Sequence, residues 1–182
     1  MPVAIALLIL RVIVGLLFIG HGTQKLFGWF GGHGRQGTGG FLDQLGYRPG
    51  SVMAVVGGAS ETVGGFLLAS GFLTPFGAAA IIGMMASATL SVHLPKGLWN
   101  SQGGYEFPLT LAAVAAAVAF AGPGRFSIDH LIGWQLAGVA YGLLAVAVGL
   151  ASAIVLNTWR LRALRQTTGA QRQPEDTPGR AA

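Results

Sequence analysis

The chain has no cysteine. That removes disulfides, thiolate nucleophiles, Cys-x-x-Cys redox pairs, iron–sulfur clusters and covalently attached c-type haem together. If the protein takes part in redox chemistry, the electrons pass through something it binds. Charge is the second scarcity: Asp, Glu, Lys and Arg make up 9% of the 182 residues, against about 25% in soluble domains. Eleven basic and six acidic side chains cannot coat a soluble protein of this size. Ten-residue segments of alternating polarity are also missing, which argues against a membrane barrel. The glycines follow no Gly-X-Y period, so collagen is excluded.

What is abundant points one way. Apolar residues are 52% of the chain and glycines number 30, roughly twice the usual glycine share of about 7%; the mean hydropathy is +0.61. Small residues with few charges suit closely packed helices in lipid. The chain therefore reads as an integral membrane protein whose first partner is the bilayer. A net charge of +5 would suit nucleic acid, but the basic residues sit in loops and at the C-terminus, where membrane topology places them. No nucleic-acid partner is expected.

Five apolar stretches stand out, at 3–20, 52–70, 76–92, 107–121 and 131–156. A span of ~30 Å needs about 20 helical residues. The fourth is short unless 103–106 adds a turn, with Pro108 tolerated at the helix start. A signal peptide is disfavoured at 3–20, which lacks a basic leader and is interrupted by Arg11. Inside the long first loop, 38–46 predicts a short helix from Thr38 to Gly46 with Phe41, Leu42 and Leu45 on one face, lying on the membrane surface or folded back on the bundle. Beyond Leu156, Arg160, Arg162 and Arg165 form an amphipathic turn, followed by a tail expected to be disordered. With five spans, nine Lys and Arg residues fall on the face of the first loop and tail, and only Arg125 on the other. The expectation is a multi-pass protein of the cell (inner) membrane, N-terminus outside and C-terminus cytoplasmic. The expected fold is all-α: a transmembrane four-helix bundle over 1–130, an extra transmembrane helix over 131–159 and a disordered basic tail over 160–182.

Two ionisable residues lie within spans, Arg11 and Glu61. Both are central in their segments, so antiparallel neighbours would hold them at one depth. An isolated charge there costs several kcal/mol and needs a partner or water. Glu61 shares a helix face with Ala54, Gly57, Gly58, Gly64 and Gly65; Arg11 shares one with Gly15, Phe18, Gly22 and Lys25. Such stripes admit another helix or a flat ligand close to the backbone. An Arg11–Glu61 ion pair that locks two helices and a Glu61 site for protons or a polar headgroup are both open readings. A second constellation gathers at the first-loop face: His21 and Lys25 end the first helix, His93 ends the third, and Tyr105 and Glu106 open the fourth. Together with Glu61 they would form a cleft for an aromatic or anionic molecule, with acid–base groups at hand. Trp29, Trp99 and Trp134 are read as interfacial anchors. No metal or haem spacing is apparent, and Gly31-Gly-His-Gly34 lacks the strand and the Gly-Lys-Ser/Thr ending of a phosphate loop.

In order along the chain, His21-Gly-Thr-Gln-Lys25-Leu-Phe-Gly-Trp-Phe-Gly-Gly-His33-Gly, Glu61 among glycines, Val92-His93-Leu-Pro, Gly103-Gly-Tyr105-Glu106 and Gly122-Pro-Gly-Arg125-Phe-Ser-Ile-Asp129 resemble the DoxX family of small membrane proteins. The resemblance covers about residues 5–130 and implies a four-helix membrane bundle. Members are similar to the small subunit of archaeal thiosulfate:quinone oxidoreductase, and others are linked to oxidative-stress complexes. It implies a quinone-docking membrane subunit, with quinone as a non-covalent ligand and a soluble redox partner supplying electrons. A non-catalytic membrane partner, scaffold or small-solute carrier is the alternative, and a homo-oligomer stays open. The fifth apolar stretch and basic tail depart from the family pattern.

Overall fold

The computed structural model describes residues 1–171, with side chains to 167. The described chain is helical throughout: α1 (Pro2–Phe27), α2 (Gly34–Leu45), α3 (Gly50–Ser70), α4 (Thr74–Ala88), α5 (Glu106–Ala121), α6 (Ile128–Leu131) and α7 (Val139–Gln171). A π-helical turn, Thr89–His93, and a 3-10 turn, Leu94–Lys96, extend α4. Four helices are long and apolar enough to cross a membrane, Pro2–Phe27, Gly50–Ser70, Thr74–Lys96 and Val139–Thr167, and Glu106–Ala121 is a shorter apolar helix.

The polarity is that of a protein dissolved in lipid. Arg11, Glu61 and Asp129 are buried, while Ile13, Leu16, Phe66 and Ile154 are exposed. α4 is the central helix, packing on α3, α5 and α7, and α1 packs mainly on α3. The core joins Phe18 and Leu68 to Ile81, Ile82, Leu111 and Val118. Along the α1–α3 seam the two glycine stripes meet. A Cβ at Gly15 would lie 2.5 Å from the Gly65 carbonyl oxygen, and one at Gly65 equally close to that of Gly15. Lower on the seam, Gly22 faces Gly58 and Thr62. Only glycine permits helix axes this close, which is how small residues join helices where no hydrophobic drive separates helix from lipid.

Several boundaries differ from expectation. α1 continues past Gly20 to Phe27 and ends at Gly28, whose φ of 75° is left-handed. The loop helix α2 starts at Gly34 and stops at Gly46. The last span begins at Val139 rather than at 131, because Gly133 and Gly138 take positive φ and break the intervening apolar run. α7 then runs unbroken through Arg160, Arg162 and Arg165 to Gln171, so the expected disordered tail is helical over 160–171; its remainder, 172–182, lies outside the described residues. Arg160 Nε donates to the Leu45 carbonyl at 2.6 Å, its guanidinium lies 5.8 Å from the Tyr47 ring centroid, and Arg48 donates to Thr167. The first loop and the end of α7 therefore share one end of the bundle, as five crossings require.

At the other end, Asp129 holds the α3–α4 turn. α4 has no capping side chain of its own. The Asp129 carboxylate supplies it from 55 residues away, accepting from Leu73 N (2.8 Å), Thr74 N (3.1 Å) and the Thr74 hydroxyl (2.9 Å). A negative charge at a helix N-terminus also complements the helix dipole.

Candidate functional site

Glu61 is 3% exposed on the glycine face of α3, and Lys25 lies in the last turn of α1. Lys25 Nζ donates to Glu61 Oε1 at 2.5 Å, the only ion pair among the described residues. The seam brings them together: Gly22 is set against Gly58, and Leu26, beside Lys25, packs on Gly58 as well.

This overturns the Arg11–Glu61 pair. Arg11 lies against Gly71, where a Cβ would collide with its guanidinium, and its Nη2 donates to the Phe126 carbonyl at 2.6 Å. Gly71 is ten residues beyond Glu61, about 15 Å along a helix. The two charges occupy different depths because the glycine contacts set the register: Gly22 is against Gly58 and Thr62, at the level of Glu61, while Arg11 is at the level of Gly71. Asp129 provides the counter-charge in the neighbourhood of Arg11.

Glu61 forms part of the wall of an open-sided cavity of about 190 Å³ between α2, α3 and α4. Phe41, Leu42 and Leu45 of α2 close one side, Met53 and Gly57 of α3 another, and Met84 and Ser87 of α4 a third. The π turn adds Ser91 and Val92, with Ser91 Oγ donating to the Ser87 carbonyl, and α7 adds Leu156. Three polar atoms among the lining residues have no hydrogen-bond partner among the described residues: Glu61 Oε2, Ser87 Oγ and Tyr47 Oη. A buried polar atom left unpaired costs about 1–3 kcal/mol, so three around one cavity suit a polar guest. A shallower groove of about 490 Å³ shares Lys25, Thr38 and Phe41 with the cavity and adds His33 and Gln24, so the polar end of the cavity faces the first-loop end of the bundle.

Of the six residues expected to converge, Lys25 and Glu61 line the cavity and His21, His93, Tyr105 and Glu106 do not. His21 is half-buried with its ring edge-on to Phe18, 6.2 Å between centroids. The other three tie the α4–α5 connection: His93 Nδ1 lies 2.7 Å from the Gly103 carbonyl, Tyr105 N donates to Gly97 O, and Glu106 Oε2 accepts from Asn100 N. His93 Nδ1, the Tyr105 backbone N–H and Glu106 Oε2 are thus engaged within this connection, and none of the three residues lines the cavity. Tyr47 and Ser87 were missed. A Tyr next to the helix-stopping Gly46 and a lone Ser in an apolar helix carry weak signals. Asp129, the one acid in the loops of its bundle end, was findable by counting charges. Among the described residues no three His, Asp or Glu side chains gather as a metal site.

A Haemophilus influenzae protein, described as uncharacterized, is 29% identical over 130 residues, 70% of this chain and 83% of its own length. No solved structure matches. Residues 6–94 match the DoxX family, a segment that carries α1 to the π turn, both halves of the ion pair and every cavity residue except Leu156. Through this segment, residues 6–94 of the 182, the chain, a multi-pass membrane protein, is similar to the DoxX family.

Proposed function

We propose that the protein is the quinone-docking membrane subunit of an oxidoreductase or oxidative-stress complex, with the ring bound in the cavity between α2, α3 and α4. The observation that carries this reading is an apolar cavity among the candidate spans, with the buried Glu61 carboxylate paired to Lys25 and two hydroxyls without partners among the described residues in its walls. The donor set fits such a ring: Tyr47 Oη and Ser87 Oγ can each donate to an oxygen, while Met53, Met84 and Phe41 offer apolar faces. At about 190 Å³ the cavity is below the roughly 300–1,000 Å³ of sites for drug-sized ligands, so it suits a headgroup rather than a whole tailed molecule. A bound quinone supplies two-electron, two-proton chemistry that no side chain here has. The chain's residues bind and orient the ring and exclude lipid, and electrons come from a soluble partner. We place the first loop and the C-terminus in the cytoplasm of a cell-membrane protein, supported by nine basic residues on that face against Arg125 on the other.

The groove that shares Lys25 with the cavity favours a second reading, a non-catalytic carrier of small solutes. Titration of the protein in nanodiscs with a short-tailed quinone, followed by calorimetry, tests the first. Saturable one-to-one binding is expected. Gly57→Leu should abolish it, because a Cβ there meets only Met84 at 3.6 Å and the larger side chain fills the cavity. Absence of saturable binding, or a folded Gly57→Leu that binds like the parent, refutes the quinone reading.

A further inference from the structure

We infer that the cavity selects its ligand through a hydroxyl that donates to Glu61 Oε2, and so takes the reduced, hydroxyl-bearing form of an aromatic ring in preference to the carbonyl form. This rests on the docking reading above and specifies its ligand. The reasoning begins with the unequal use of the two carboxylate oxygens. Oε1 accepts from Lys25 Nζ, while Oε2, on a residue 3% exposed, has no partner among the described residues. A carboxylate engaged by an ammonium group is an acceptor only. Whatever sits against Oε2 must therefore bring a proton.

Charge narrows the class further. Lys25 already balances Glu61, so a cationic ligand would leave an uncompensated positive charge in a cavity walled by Leu, Met and Phe, and an anionic one would face the carboxylate. A neutral donor remains. A carbonyl or ether oxygen turned toward Oε2 sets lone pair against lone pair; a phenolic O–H makes a charge-assisted hydrogen bond there. Tyr47 Oη and Ser87 Oγ discriminate less, since each hydroxyl can donate or accept. The preference therefore belongs to Glu61, and the two hydroxyls serve the ring's other oxygen in either form.

The experiment compares three short-tailed ligands of one skeleton with the wild-type protein in nanodiscs under a mild reductant or without one as each requires: the hydroquinone, its dimethyl ether and the quinone. The hydroquinone should bind about tenfold or more tighter than the dimethyl ether, the usual worth of a hydrogen bond to a charged acceptor, and tighter than the quinone. In Glu61→Gln, whose amide offers an N–H as well as a carbonyl, the gap should shrink to a few-fold or reverse. Equal binding of hydroquinone and dimethyl ether overturns the inference and leaves ring docking standing. So does a hydroxyl preference that survives undiminished in folded Glu61→Gln, which would assign it to Tyr47 or Ser87. Binding of none of the three defeats the docking reading itself. Should Glu61→Gln fail to fold, the wild-type ligand series still decides the hydroxyl preference.

Discussion

The two partners of the Lys25–Glu61 pair are buried to different degrees, and their removal should cost differently. Lys25→Met leaves the carboxylate, 3% exposed, without its ammonium; stranding a buried charge in this way costs about 3–5 kcal/mol. Glu61→Gln strands the lysine instead, but that side chain is 32% exposed and its flexible stem can carry the ammonium toward the first-loop surface. Its loss should be nearer 1–2 kcal/mol, about that of one hydrogen bond to a charged group. The double variant Lys25→Met/Glu61→Gln removes the stranded charge and should recover about 2 kcal/mol relative to Lys25→Met alone. Unfolding followed by far-ultraviolet circular dichroism in mixed micelles, with increasing denaturing detergent, gives all three values against the parent. A Glu61→Gln as damaging as Lys25→Met would refute the asymmetry, and simple additivity of the two would refute the pair. Arg11→Gln combined with Glu61→Gln should be additive within about 0.5 kcal/mol, since the sites share no partner.

Three further outcomes are expected. Gly65→Val should destabilise by about 1–3 kcal/mol or more, because its Cβ meets the Gly15 backbone, whereas Gly20→Ala, with nothing within 4 Å, should be near neutral; the same detergent titration reads both. Asp129→Ala removes three hydrogen bonds that cap α4 and the charge beside Arg11, and should lower stability by about 2–4 kcal/mol, with Asp129→Asn recovering part. Reporter fusions at the two ends should report opposite sides, the C-terminus cytoplasmic; one side for both would mean an even number of crossings.

The helices were legible where apolar length and glycine punctuation agree. Both stripes, Arg11 to Lys25 and Ala54 to Gly65, do face inward on α1 and α3, because small residues at helical spacing leave only one face on which backbones can meet. The pairing across that seam was not legible. Span centres suggested one level for Arg11 and Glu61, but register is decided by which glycine opposes which, and a single strand of sequence does not display that. The start of α7 was misplaced because the run after Leu131 is apolar enough for a span, and hydropathy does not register the positive φ of Gly133 and Gly138. In the site, Glu61 and Lys25 were visible as charges in apolar surroundings. Ser87 reaches the cavity from the apolar run of α4, and Tyr47 from a loop whose fold-back rests on Arg160, 115 residues from its partner Leu45; no local pattern encodes either.

The glycine seam between α1 and α3 also decides which parts of the molecule can change shape. Where backbone touches backbone there are no side chains to re-pack, so sliding one helix along the other would drive Gly15 and Gly65 into neighbouring residues that have a Cβ. The two helices move as one plank, and the Lys25–Glu61 pair rides on it at a fixed spacing. The opposite wall is built otherwise. The end of α2, with Gly46 and Tyr47 after it, meets α7 through the long side chains of Arg160 and Leu164. On the docking reading, a guest entering from the first-loop end would meet a polar floor fixed on this seam and a roof held by the arginine contacts of α7, outside the segment that matches the DoxX family.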